Sequence, residues 1–300
     1  MSAKHTRREF TALLLAHLSL TITLSTRSSA AVSGSAPAES VETNFDSELA
    51  KLANTESFVS ANRRDRADRI EEANAFPQGL AVPRALKSTK KISERATSLI
   101  ISSEVSGIPQ YNQKFHNPTW PGGGSGVTIG VGYDLGFVSA REFHEAWSHY
   151  LVAQDFNALL GCCGLQARLA REALDRVGHI DIPWQVADRQ FREEIRPRCI
   201  GETQSVLPNC DLLSPDSLGA LVSLVYNRGA AGFLVPSPKD AAGRFTEMRN
   251  IRSLMDAKQF DGIPAQLLSM RRLWEAAPDG RGLVLRRELE AQLFSIGLAT

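Results

Sequence analysis

The sequence has no apolar run of 18 or more residues beyond its first 30, which excludes a multispan membrane protein. It lacks a charge excess as well: 34 Lys and Arg stand against 33 Asp and Glu, a formal net of +1. That balance gives no bulk attraction for nucleic acid. Residues 1–95 hold 14 basic and 11 acidic side chains, and residues 96–300 hold 20 and 22, a net of −2. Any attraction of the later part to an anionic polymer must therefore be local. No Gly-x-Ser-x-Gly elbow frames a serine. The glycine-rich stretch Gly122–Gly126 is not followed by Lys and Ser or Thr, so it is no phosphate loop. His144 and His149 stand five apart, which rotates them about 140° on a helix and spoils a zinc-protease pair. No internal repeat is present.

What is there begins with an N-terminus that reads as an export signal, residues 1–30. Lys4, Arg7 and Arg8 form a basic start, Ala12–Leu24 is moderately apolar, and Ser28-Ser29-Ala30 supplies small residues for cleavage. Thr6-Arg-Arg-Glu-Phe10 resembles a twin-arginine export motif, without the Leu and Lys that usually follow the Phe. The reading predicts a periplasmic or secreted protein with no stable membrane span after cleavage. Cys162, Cys163, Cys199 and Cys210 fit such a compartment. Adjacent cysteines bridge each other only under strain, so two bridges from the Cys162-Cys163 pair to Cys199 and Cys210 are expected. The spacing lacks the C-x2-C of zinc sites, and no metal is assigned.

Residues 31–91 read as a linker carrying a heavily charged, helix-permissive stretch over 46–75, with Pro77 and Pro83 after it. A globular pattern occupies 92–300, mostly of helical period. Ser93–Ser103 predicts a helix ending near Glu104. Val127, Ile129, Val131 and Tyr133 alternate with Thr128, Gly130 and Gly132, which predicts a strand or hairpin. Ser139-x-x-Glu142 is a capping box. Ser214-Pro215 caps a helix with Leu218, Leu221, Val222, Leu224 and Val225, apolar almost all round and so buried. A last helix runs from about Val284 with Leu285, Leu289 and Leu293 on one face. The fold class expected is α+β, mostly helical, with one small β-element.

The chemistry gathers at Glu104 and Thr128-Ile-Gly-Val-Gly-Tyr-Asp134. A helix-end Glu facing a glycine-rich hairpin with a second carboxylate has the parts of a glycosidase pair, one carboxyl protonated and one ionised. Apolar packing around Glu104 would favour its protonated form. A straight strand would put Thr128 and Asp134 about 20 Å apart, too far to share a water, so the chain must reverse at Gly130 and Gly132.

Glu104, Tyr111 and Thr128-Ile-Gly-Val-Gly resemble the signature of phage-type lysozymes, glycoside hydrolase family 24. Ala220–Gly229, with its aromatic-Asn-x-Gly end, resembles that family's central helix. Arg286-Arg287-x-x-Glu290-x-x-Leu293 resembles its C-terminal helix. Asp134-Leu-Gly-Phe137 is similar to the pesticin-type branch, and Gln113 stands where the usual phage enzyme has its Asp. The resemblance implies a two-lobed fold, a helical lobe and a small β-hairpin lobe joined by a long helix. It implies hydrolysis of the bond between N-acetylmuramic acid and N-acetylglucosamine in peptidoglycan glycan strands, without cofactor. Glu104 would be the general acid, Asp134 the second carboxylate and Thr128 the water holder. Tyr111, Trp120 and Asn227 are candidates for sugar contact.

Plainer readings stand beside these. Glu104 is also a surface carboxylate at a helix end, Asp134 a turn cap over Gly136, and Thr128 an ordinary strand residue. Tyr111 also fits a packed cleft floor, and Asn227 a helix cap. Arg286 and Arg287 also fit as ion-pair braces. A wall-binding module without catalysis, a lytic transglycosylase and a toxin remain as alternative functions.

Overall fold

Ser93 caps a helix: its hydroxyl accepts from Ala96 N at 3.0 Å, and α1 (Glu94–Val105) follows. The structure is a computed structural model that describes residues 44–50, 85–277 and 280–300. The expected export signal and the charged stretch from 51 to 75 lie outside the described residues. Residues 44–50 are helical, and Phe45 is fully buried. α1 ends where Ser106 turns left-handed (φ 58°) ahead of Gly107, so Glu104 sits in its last turn. A helical turn follows and runs into a widened turn over Tyr111–Phe115.

The strands come next. β1 (Thr128–Ile129) pairs antiparallel with β2 (Tyr133–Asp134). A 3-10 turn over Leu135–Phe137 leads to α2 (Ala140–Trp147), which opens on the Ser139/Glu142 capping box. Glu142 Oε2 accepts from Ser139 N at 2.7 Å, and Ser139 Oγ accepts from Glu142 N at 3.2 Å. α3 (Ala153–Leu160) and α4 (Ala167–Val177) complete this part.

One continuous helical run follows: α5 (Trp184–Gln190), a π-turn over Phe191–Ile195, then α6 (Arg196–Val206). Pro197 explains the widening. It has no N–H, and its ring would crowd the carbonyl four residues back in a regular helix. The π-turn bonds Arg196 N to Phe191 O just before it. It also sets Arg192 and Arg196 against Glu94, at 2.7 and 3.3 Å. Burial works to raise the Glu94 pKa, but these two guanidiniums outweigh it and hold the carboxyl below its ordinary range.

α7 (Pro215–Arg228) is the helix expected to be buried, and all but its first two residues are. Ser214 Oγ accepts from Ser217 N at 3.2 Å, Pro215 takes the first turn, and Gly229 ends it at φ 73°. Each of its buried Leu or Val side chains contributes about 1.5–3 kcal/mol by leaving water. α8 (Thr246–Ala257), α9 (Ile263–Ser269) and α10 (Arg281–Leu298) close the chain. α10 packs along α7 and touches α1. Among the described residues the fold is mostly helical with one two-stranded antiparallel sheet. None of the described helices is long and apolar enough to cross a membrane.

The loop before α8 is held by Asp240, which accepts from Arg244 N (2.7 Å), Phe245 N (2.9 Å) and Arg249 Nη1 (2.8 Å). This fixes Phe245, whose ring lies 5.5 Å from the Arg228 guanidinium at the end of α7. Burial tends to raise the Asp240 pKa, but the backbone donors and Arg249 win, and it falls below its ordinary range. A carboxyl lowered in this way stabilises the fold above its unfolded pKa, about 4. That contribution is lost as the pH falls through the folded value. Urea melts from pH 5 down to pH 2 are expected to show wild-type stability converging on that of Asp240→Asn, which is lower by about 1–3 kcal/mol at pH 7. A constant gap across that range would refute this role for the Asp240 charge.

Candidate active site

The reversal that the Thr128–Asp134 spacing demands is present. Gly130 (φ +53°) and Gly132 (φ +69°) take the left-handed turn positions, and the strands pair Thr128 with Asp134 and Ile129 with Tyr133. Leu135 N donates to Val127 O at 2.8 Å. That bond makes Thr128 and Asp134 a non-hydrogen-bonded pair, the class whose side chains come closest and share one face. On its other side β1 bridges to Thr119, with both N–H···O bonds made at 2.8 and 2.9 Å.

The turn of the hairpin is seated on three neighbours. Tyr226 of α7 donates its hydroxyl to Val131 O. A methyl group on Gly130 would lie 2.8 Å from the Trp147 ring, and one on Gly132 would lie 2.5 Å from Glu104 Oε2. Only a residue without Cβ lets the turn meet the carboxylate so closely. Asp134 stands two residues beyond Gly132, about 7 Å of strand. The hairpin therefore presents its glycine turn to Glu104 and its Thr128–Asp134 pair just beyond.

Glu104 is 1% exposed. Its surroundings differ from the apolar wall expected, because Arg286 Nη1 of α10 donates to Glu104 Oε1 at 3.1 Å. Arg286 Nε also donates to Glu290 Oε1 at 3.3 Å, and Arg287 Nη2 donates to the same oxygen at 2.8 Å. Ser223 Oγ of α7 donates there too, at 2.7 Å. Glu290 Oε2 is buried with no hydrogen-bond partner. Arg287 lies 5.8 Å from the Trp274 ring. Among the described residues, two carboxylates and two guanidiniums thus meet in the interior. Buried charges stand only when paired, and removing one partner strands the rest.

Asp134 is partly exposed. Its Oδ1 accepts from Gly126 N and Gly136 N, both at 2.9 Å, so it does cap the Gly136 turn. Thr128 is buried, with its hydroxyl 3.5 Å from Gly126 O. Trp120 is partly exposed and donates Nε1–H to Ser125 O at 3.0 Å, one residue from the Thr119 bridge. It is the sugar-contact candidate that retains an accessible surface.

Two candidates lie in the interior, and one expectation is corrected. Tyr111 is fully buried, donates its hydroxyl to Ile182 O at 2.8 Å and packs edge-on against Trp184, as the packed-floor reading has it. Asn227 is buried too, and its Oδ1 accepts from Arg287 Nη2 at 3.2 Å, which ties it to the charge cluster. The four cysteines are thiols, not two bridges. Cys199 points at Val222 O of α7 and Cys210 at the nearby Leu207 O, while the Cys162-Cys163 pair lies in the turn after α3. Burial, with Asp211 adding to it, pushes the Cys210 thiol up to about 12. Burial, with Cys162 and Glu142 adding to it, pushes Cys163 up to about 11. Thiols held protonated in this way are poor nucleophiles.

Ser223 was not singled out from the sequence. Its signal was a small polar residue inside an otherwise apolar helix. Among the described residues no group of three or more His, Cys, Asp or Glu is arranged to hold a metal ion. Comparison with models of known protein families and with curated proteins finds no match to this chain.

Proposed function

We propose that this chain is an exported muramidase with a two-lobed, lysozyme-like catalytic domain. The observation that carries the reading is the hairpin register. It sets Thr128 opposite Asp134 while the turn glycine lies against Glu104. The proposed substrate is the peptidoglycan glycan strand, cut between N-acetylmuramic acid and N-acetylglucosamine. Glu104 gives its proton to the glycosidic oxygen as that bond breaks. Asp134 takes a proton from a water that Thr128 helps to hold, and the water attacks the anomeric carbon from the opposite face. The configuration inverts, and a reducing muramic end forms. No step needs a metal or an organic cofactor.

Asp134→Asn tests the assignment cleanly. The amide oxygen can accept the same two bonds from Gly126 N and Gly136 N, so the turn survives while the charge is lost. Clearing of a peptidoglycan suspension is expected to slow by about 10²–10⁴-fold, with the melting temperature within a few degrees of wild type. Unchanged clearing would remove Asp134 from the mechanism.

A second reading is favoured by one observation. Glu104 is 1% exposed and held by Arg286, which suits a wall-binding module on the same fold that has no turnover. Such a module would bind peptidoglycan equally well with Glu104 or Gln at this position.

A further inference from the structure

We propose that Ser223 and Glu290 are positioning residues for Glu104, acting through Arg286; the inference rests on the muramidase reading. Arg286 is fully buried and its planar fork is used on two sides. On one side Nε meets Ser223 Oγ and Glu290 Oε1, both at 3.3 Å, and Nη2 meets Ser223 O at 3.0 Å and Ser223 Oγ at 3.2 Å. On the other side Nη1 reaches Glu104 Oε1 at 3.1 Å. Ser223 also donates to Glu290 Oε1 at 2.7 Å, so serine and glutamate form one clamp on the guanidinium. The consequence is mechanical. Arg286 stays in place whatever Glu104 does, because its Nε edge is anchored on α7 and on its own helix. A carboxyl that loses and regains a proton each turnover then keeps its place against Gly132. A loosened clamp lets the arginine shift with Glu104, and the acid loses its fixed aim.

The test is Ser223→Ala in the full chain, beside Ser217→Ala as a control. Ser217 is buried in the same helix, and its hydroxyl donates to Phe294 O of the same partner helix at 2.9 Å, outside the clamp. Both variants are expected to lower the melting temperature by a similar few degrees. Only Ser223→Ala is expected to lower kcat on soluble peptidoglycan, by about tenfold, with KM within about twofold. Hydrogen exchange at Arg286 Nε–H, followed by NMR, is expected to quicken by about tenfold in Ser223→Ala and not in Ser217→Ala. A kcat that is unchanged in Ser223→Ala, or that falls equally in both variants, overturns the proposal. If the wild type shows no turnover, the muramidase reading fails by itself. The exchange measurement then decides whether the clamp exists, and equal exchange in both variants refutes it.

Discussion

Glu104→Gln is expected to lower peptidoglycan turnover by about 10²–10⁴-fold, because the amide has no proton to give at the moment the glycosidic bond breaks. The same change leaves Arg286 facing a neutral side chain at position 104, as the protonated acid also does. Glu290 Oε1 would still accept from both Arg286 and Arg287. The amide oxygen still accepts from Arg286, so part of the pairing survives, and the loss of the carboxylate charge lowers stability. Rates must therefore be read on protein shown to be folded, by circular dichroism at the assay temperature. A folded Glu104→Gln protein that still hydrolyses at the wild-type rate would remove the residue from the chemistry and leave it a structural anion.

Arg286→Ala is expected to be the most destabilising single change in the cluster. It removes the common partner of Glu104 and Glu290, and it empties a large, fully buried volume between α7 and α10. A loss of about 3–5 kcal/mol follows from the broken pairs, a fall of roughly 6–20 °C in melting temperature for a domain of this size. The double change Glu104→Met/Arg286→Met separates charge from packing. It leaves Arg287 paired with Glu290 and fills the space with apolar atoms, so much of the lost stability returns while activity stays absent. A single Arg286→Ala variant as stable as wild type would mean that the buried ion pairs contribute nothing net to the fold, contrary to this expectation.

Local features were readable from the sequence and distant ones were not. The Ser139/Glu142 box, the Ser214-Pro215 cap and the Gly229 stop each act within four residues, and each is found where its motif stands. The hairpin was legible from a distance argument, since only reversal brings Thr128 to Asp134. The surroundings of Glu104 were not. Its guanidinium partner lies 182 positions away, on a helix whose leucine pattern suggested an apolar inner face. In fact Arg286, Arg287 and Glu290 point inward beside Leu289 and Leu293. The 3.6-residue period marks a buried stripe but does not say whether charges share it. The burial of Tyr111 and Asn227 was hidden for a related reason, since residue type suggests sugar contact but does not report burial. The cysteine count suggested bridges, but Cys199 points at a carbonyl of α7 and Cys210 at Leu207 O in the loop after α6.

The measurement that bears most directly on the central claim is end-group analysis. Purified peptidoglycan is digested with the full chain in water enriched in ¹⁸O, and the released fragments are identified by mass spectrometry. Hydrolysis with Glu104 as acid predicts reducing N-acetylmuramic ends carrying one ¹⁸O at the anomeric position, absent from the Glu104→Gln digest. Anhydro-muramic ends without ¹⁸O would show a transglycosylase instead. Binding to the wall with no released fragments from either protein would contradict the muramidase claim and establish the non-catalytic reading.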